Sequence, residues 1–134
     1  MSNIPHAAGD LVVVLVQHPK QITADVAAGV HKVPCPVKGT VVRVQSIAGI
    51  QGGTTPVTDL DITPKKNTTS LCSAVLAAVD SSVADEDVEG TLSATAADLA
   101  CDVGDYFTCG YDITGGSSPT IDGAGVLITI ARRD

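Results

Sequence analysis

Aromatic side chains are almost absent from this chain of 134 residues, which has no tryptophan, two tyrosines and one phenylalanine. Pockets for drug-sized ligands, platforms for single-stranded nucleic acid and cages for quaternary ammonium groups all use flat rings for stacking. Three rings therefore argue against these classes of binding site. The core has to be built from aliphatic side chains.

Basic residues are also scarce, with 8 Lys and Arg against 15 Asp and Glu and a formal net charge of −7. Contacts with phosphates supply most of the affinity for nucleic acids, so we expect no nucleic-acid partner. The apolar run at residues 11–16 is far shorter than the roughly 20 residues that span a bilayer. Residues 2–10 lack the basic flank of a signal peptide. We expect no membrane partner and synthesis in a cytoplasm.

Residues branched at Cβ dominate the composition, with 18 valines, 9 isoleucines and 14 threonines. Their restricted χ1 angles suit the pleated surface of a sheet better than a helix. The length is that of one domain with its own core. We therefore predict a single, mostly β domain.

Five segments have strand patterns, and they lie at residues 11–16, 39–47, 57–63, 106 onward and 126–131. In the second of these, the alternation predicts that Val42, Val44 and Ser46 share one face. In the third, Leu60 and Ile62 share a face. Turn clusters at 49–56, 64–69 and 114–125 separate the segments, the last as a long glycine-rich connection. This spacing is typical of a β-sandwich or barrel.

The remaining segments are less regular. Pro34 and Pro36 flank Cys35, and because proline cannot donate to a ladder they predict an edge strand or an extended connection. Residues 70–83 fit either a short helix or a strand over 71–76 followed by a loop. We expect the acidic stretch at 85–90 to be solvated and residues 1–10 to form an extended N-terminal arm.

Three of these segments carry a family likeness. KGTVVRVQ at 38–45, VGDYFTCGYD at 103–112 and GVLITIARRD at 125–134 together resemble the small β-sandwich head decoration and head-fibre proteins of tailed bacteriophages. The resemblance covers residues 37–134. It implies an all-β fold, a single antiparallel jelly-roll-like sandwich over residues 11–134 behind the arm at 1–10.

The same resemblance implies a structural virion protein without enzyme activity. Such a capsid decoration (cement) protein is made in the host cytoplasm, binds the major capsid protein on the outside of a phage head and stabilises its lattice. It commonly works as a homotrimer. Candidate contacts with the capsid or a neighbouring subunit lie in the arm and in the two long turn clusters, at Ile4, Pro5, Gln51, Thr54, Ser117 and Ile121.

The four cysteines, Cys35, Cys72, Cys101 and Cys109, have no Cys-x-x-Cys spacing, which argues against a structural zinc site. Two interpretations remain open. The thiols are either reduced and buried as small apolar groups, or they form disulfides once a particle meets an oxidising exterior. Between two prolines on a predicted edge, Cys35 is the best candidate for a bond to a neighbouring subunit.

Catalytic patterns are missing from the sequence. There is no Gly-x-Ser-x-Gly elbow, no phosphate-binding glycine loop, no zinc-hydrolase histidine pair and no EF-hand spacing among the acidic residues. We therefore predict no enzyme activity, no metal and no cofactor. The alternative function is a carbohydrate- or host-surface-binding module of a phage fibre, in which Tyr106, Phe107 and Tyr111 would supply the rings.

Overall fold

The computed structural model describes residues 10–55, 57–79 and 87–133, and the predicted all-β antiparallel sandwich is confirmed. The strands are β1 (Leu11–Gln17), β2 (Val33–Pro34), β3 (Gly39–Ile47), β4 (Ile50–Thr55), β5 (Asp59–Lys66), β6 (Thr69–Ser70), β7 (Leu76–Val79), β8 (Ala100–Cys101), β9 (Tyr106–Thr114), β10 (Ser117–Asp122) and β11 (Gly125–Arg132), and α1 (Ala96–Leu99) is a single helical turn. The jelly-roll connectivity stays a prediction, and the predicted arm lies outside the described residues except for Asp10.

Two antiparallel sheets form the sandwich. Sheet I has the strand order β1-β11-β3-β8, and sheet II has the order β2-β9-β5-β6 with β7 also paired to β5. A third, two-stranded sheet joins β4 to β10. Apart from Phe107, Tyr111 and four cysteines, the core between the sheets is aliphatic, with Val44, Ile128 and Ile130 from sheet I and Leu60 and Ile62 from sheet II all fully buried. The strand pairing thus buries the valine- and isoleucine-rich faces that the composition predicts.

The two-stranded sheet continues the pairing of sheet I. Gly125 lies opposite Ile47, and after a short break Asp122 lies opposite Ile50 in the same register. In the chain, β4 is followed by β5 and β10 is preceded by β9. β5 and β9 pair in sheet II, beginning with Asp59 opposite Thr114. The pair β4–β10, called the arch below, therefore connects one end of sheet I to one end of sheet II. The turns predicted at 49–56 and 114–125 are wrong over β4 and β10, which pair with each other.

Two glycines allow the pairing to bend into the arch. Gly49 and Gly123 lie on opposite strands in the break between sheet I and the arch, and their φ angles are +81° and +80°. Residues other than glycine rarely adopt φ and ψ angles in this left-handed region. A Cβ on Gly49 would also lie 2.6 Å from the Asp122 carbonyl oxygen. Both the backbone angle and the close approach therefore require glycine at position 49.

β3 contains a bulge that alters the predicted facing of its side chains. The register with β11 shifts between Arg43 and Val41, which leaves Val42 as the extra residue. Val41 consequently faces the core, whereas Val42 is 45% exposed. The predicted shared face is correct for Val44 and Ser46, which are both buried, and wrong for Val42.

β5 runs further than the sequence predicts. Leu60 and Ile62 are fully buried on one face, as the alternation predicts. The strand then continues through Pro64 to Lys66, so the turn predicted at 64–69 is confined to residues 67–68. Pro64 is tolerated inside the sheet because it lies between the segments that pair with β7 and β6, and its carbonyl accepts the Leu71 N–H at 3.0 Å.

The two uncertain segments of the sequence are strand-like where the structure describes them. Within residues 70–79 there is no helix, and the strand begins at Leu76 rather than ending there, while residues 80–86 lie outside the described part.

Val88 and Gly90 hydrogen-bond to β3 through the Ser46 N–H and the Val44 carbonyl. Where the structure describes the stretch at 85–90, the carboxylates of Asp87 and Glu89 are exposed as predicted, while its backbone pairs with β3. No helix among the described residues is long and apolar enough to cross a membrane.

A hydrogen-bonded turn around Asp105 begins β9. Asn67, at φ +54°, donates its side-chain amide to Asp105 Oδ1 at 3.0 Å, and the Asp102 N–H donates to Asp105 Oδ2 at 2.9 Å. Asn67 Oδ1 in turn accepts the Tyr106 N–H at 3.1 Å. The Asn67 amide and then the Asp102 N–H hold the pKa of the Asp105 carboxyl below its ordinary value. The turn at residues 103–105 is therefore fixed by this carboxylate.

We predict that Gly49→Ala destabilises the protein more than Gly29→Ala. Both glycines have positive φ angles, but a Cβ on Gly29 would meet nothing within 4 Å. Gly29→Ala should cost about 1 kcal/mol for backbone strain, and Gly49→Ala a further 1 kcal/mol or so for the clash at the arch. Denaturant unfolding measures both, and equal losses would contradict the close approach at Gly49.

We predict that the stability difference between the wild type and Asp105→Asn shrinks as pH falls. Because the folded-state pKa lies below the unfolded value of about 3.8, the carboxylate stabilises the fold above that value and loses the contribution as pH falls through the folded pKa. The difference should be about 1 kcal/mol near neutral pH. Urea unfolding across the acidic range measures it, with Asp112→Asn on the exposed side of β9 as the control. A difference independent of pH would contradict this role.

Candidate interaction surfaces

The arch is the first candidate surface. Residues 53–55 of β4 and residues 115–118 leading into β10 are exposed, and Ile50 at its base is 76% exposed. Gly53, at φ +97°, lies so close to the opposite strand that a Cβ there would meet the Ser118 carbonyl oxygen. The exposed part consists of glycine, serine and threonine and carries no charge. It presents backbone and small hydroxyl groups at one end of the sandwich.

The base of the arch is anchored in the core. Ile22 and Ile121 exchange two backbone hydrogen bonds of 2.8 and 2.9 Å. Both side chains are buried, at 1% and 0% exposure. Gln17 also donates its side-chain amide to the Gly123 carbonyl at 2.7 Å. The exposed residues of the arch therefore stand on a rigid base.

The structure brings together four of the six predicted contact residues. Gln51 and Ile121 are opposite each other in the arch, and Ser117 pairs with Thr55, the neighbour of Thr54. Thr54 and Ser117 are exposed and Gln51 is half-buried, but Ile121 belongs to the core and does not offer a surface contact. Strand alternation around Ile121 would have revealed this. Ile4 and Pro5 lie outside the described residues.

A cleft of about 400 Å³ opens where sheet I bends into the arch. It is lined by Gln17, Ile47, Ala48, Gly49, Ile50, Asp87, Asp122 and Gly123. Asp122 accepts a hydrogen bond from the Gln21 side-chain amide at 3.3 Å. The lining contains two carboxylates and no ring, thiol, hydroxyl or imidazole. The two carboxylates offer acceptors for hydrogen bonds.

The three aromatic rings do not form a platform. Phe107 and Tyr111 are buried, at 0% and 4% exposure. Tyr111 donates its hydroxyl to the Ala124 carbonyl at 3.2 Å, and His18 packs edge-on against its ring. Only Tyr106 reaches the surface, where the Lys32 ammonium lies 4.7 Å from the ring centroid. The rings that a sugar-binding site would stack on are thus mostly part of the core.

The four cysteines are free thiols and are all buried. Cys35 and Cys101 are hydrogen-bonding neighbours, and the Cys35 thiol also donates to the Val37 carbonyl at 3.0 Å. Cys109 is a neighbour of Cys72 and lies beside the Tyr111 hydroxyl. Pro34 does lie in a two-residue edge strand, but the thiol of Cys35 points inward. The buried-thiol interpretation therefore describes the structure, and Cys35 does not present its sulfur to a neighbouring subunit.

Burial also lowers the reactivity of these thiols. It raises the pKa of Cys101 to about 12, with the neighbouring Cys35 as a second cause. Burial likewise raises the pKa of Cys109 to about 12 and that of Cys72 above its usual value. The thiolate is the nucleophile and the metal ligand, so protonated thiols of this kind are inert at neutral pH.

Groups that could hold a metal or perform acid-base catalysis are dispersed. No cluster of three or more His, Cys, Asp or Glu residues with metal-binding geometry occurs among residues 10–55, 57–79 and 87–133. Burial, and then the charges of His31 and Lys20, lower the pKa of His18. Arg43 and Glu89 form an exposed ion pair across the edge of β3, and such pairs contribute little to stability.

The comparisons with known proteins add no assignment. Searches of protein-family models, curated proteins and solved structures found no match to this chain. The function therefore has to be inferred from the surfaces of the molecule itself.

We predict that the native protein reacts with thiol reagents only after unfolding. The four thiols should be modified slowly at neutral pH and should all react in denaturant, because they are buried in the folded protein. The melting temperature should be the same with and without reductant. A disulfide typically contributes about 2–4 kcal/mol, so a lower melting temperature in reductant would contradict four free thiols.

Proposed function

We propose that this chain is a capsid decoration protein that binds the outside of a phage head and stabilises the lattice of the major capsid protein. The observation that carries the proposal is the arch, a rigidly anchored and uncharged surface at one end of a small sandwich. The three segments that resemble the decoration family support it as well. They contain most of β3 and β9 and all of β11, which are three of the four longest strands of the two packed sheets.

The arch suits docking on a large protein surface. Its exposed residues 53–55 and 115–118 carry no charge, although the whole chain has a net charge of −7. An acidic molecule can therefore approach an acidic or a basic shell through this end with little electrostatic cost. Its base is held in the core, so little conformational entropy is lost on binding. Many weak contacts of this size add up on a lattice through multivalency.

The remaining features of the proposal follow the resemblance. The protein would act without enzyme activity or a cofactor, be made in the host cytoplasm and then reside on the virion surface. It would bind the capsid as a homo-oligomer, with a trimer as the expected form. The carbohydrate-binding alternative is not favoured by a specific observation, because two of the three rings it needs are in the core.

We predict that purified protein co-sediments with undecorated shells of the major capsid protein from the phage that encodes it. Thr54→Trp or Ser117→Trp should weaken binding by about tenfold or more, because a large side chain prevents close docking of the arch. Neither change alters the charge of the protein. Binding isotherms by quantitative sedimentation give the ratio.

The matched control is Val103→Trp, at a residue that is 69% exposed. Val103 lies just before the first residue of β9, whereas the arch begins just after the last residue of β9. Because β9 has nine residues, roughly 30 Å separates Val103 from the arch. This variant should bind like the wild type. Absence of co-sedimentation would overturn the capsid role. Binding that is equally strong in all variants would show that another surface docks.

A further inference from the structure

β1 presents a row of large apolar side chains to solvent at the edge of sheet I. Leu11, Val13 and Leu15 are 50%, 59% and 48% exposed, while Val14 and Val16 between and after them are buried. β1 pairs with β11 on one side and is the terminal strand of sheet I. The exposed row continues onto β11 at Leu127, which lies opposite Leu15 and is half-buried.

The backbone of the same three residues faces the open edge. The Arg132 N–H donates to the Asp10 carbonyl and the His18 N–H donates to the Ala124 carbonyl, and the β1–β11 register between them has no shift. Hydrogen-bonded pairs alternate along an antiparallel ladder. The even-numbered residues of β1 therefore bond to β11. The N–H and C=O groups of Leu11, Val13 and Leu15 point away from it.

The other edge strands of sheets I and II in the described part of the chain are shorter, and the longest of them, β7, has four residues. β8 and β6 have two residues each, and β2 also has two and contains Pro34. Residues 88–90 cover β3 beyond β8. Short strands, prolines and charges are the usual means of preventing edge-to-edge association. β1 has seven residues with no proline and no charge, so it lacks each of these protections.

We infer that β1 is an interface between two copies of this chain, in which the two β1 strands pair antiparallel about a two-fold axis at Val13. With the backbone groups of residues 11, 13 and 15 facing outward, Leu11 of each copy lies opposite Leu15 of the other, and the two Val13 residues face each other. Each of the three residue pairs exchanges two backbone bonds, about six in all. All six apolar side chains lie on one face of a continuous eight-stranded sheet.

A second copy fits this edge better than another occupant because the edge is self-complementary. The pairing places leucine opposite leucine and valine opposite valine. β1 carries no charge, whereas the net charge of −7 of the whole chain opposes association through its charged surfaces. The three half-exposed side chains bury less area than a standard interface of about 1,600 Å². The association should therefore depend on concentration.

This contact is separate from any trimer contact, because a two-fold interface is isologous and does not close a ring of three subunits. It does not rest on the proposed capsid role. It predicts an even number of chains, either a dimer or two trimers joined through their edges.

The first test compares the mass of the assembly in solution for the wild type and two variants of the full chain. Val13→Lys should halve the mass measured by sedimentation at high protein concentration, because two lysines would face each other in the pair. Val103→Lys makes the same change of charge at a residue that is 69% exposed, and it should keep the wild-type mass. Both variants lower the net negative charge, so loss of association in Val13→Lys cannot come from overall repulsion.

Three results would overturn the inference. The first is a wild type that stays monomeric at all concentrations. The second is an equal mass for Val13→Lys and the wild type, with both folded by circular dichroism. The third concerns the N-terminal residues as an alternative occupant: Ile4→Lys should leave the mass unchanged, and loss of association in this variant would assign the edge to that segment.

The second test measures the register of the pair. Val13→Cys should crosslink to itself with a short thiol-reactive linker, because paired Cα atoms lie about 5.5 Å apart. Leu11→Cys alone should not, since its two copies would be about 14 Å apart along the strands, but Leu11→Cys mixed with Leu15→Cys should. The native cysteines are at most 7% exposed and give little background. Crosslinking of Leu11→Cys alone with none at position 13 would contradict the two-fold axis.

Discussion

The fold depends on one continuous antiparallel pairing, in which β3, β4 and β5 run alongside β11, β10 and β9. Sheet I, the arch and sheet II are successive parts of this double strand, and the register is unchanged from Ile47 opposite Gly125 to Thr55 opposite Ser117. Glycines 49 and 123 provide the bend, since their φ angles are near +80°. The remaining strands pair along the edges of this ribbon and widen the two sheets that enclose the core. Where the arch lies, and what it can contact, follows from this pairing.

The sequence predicts the part of the fold that depends on side-chain alternation. β5, β9 and β11 were expected from their patterns, and Leu60 and Ile62 are buried as the period of two requires. Val42 departs from the pattern because a bulge adds one residue to β3, and nothing in the local sequence marks a bulge. β4 and β10 were assigned to turns because they are rich in glycine, serine and proline. Their pairing partners are more than 60 residues apart, and local propensity carries no information about such a contact.

The candidate surfaces could be predicted in outline only. The two turn clusters are contact candidates in the sequence, but only the pairing shows that they form one surface. The spacing of the cysteines does not show that Cys35 meets Cys101, because the two are joined by the ladder between β3 and β8 and by the turn before β9. At β1 the six-residue apolar run in the sequence does not show which of its side chains are buried. The structure buries one face within the subunit and leaves the other exposed.

The most direct measurement of the central claim is a cryo-electron microscopy map of shells incubated with the purified protein. The account predicts density for the sandwich in which the arch contacts the capsid surface, while Val103 and the start of β9 point away from the shell. A map in which the arch faces solvent and another part of the sandwich touches the shell would contradict it.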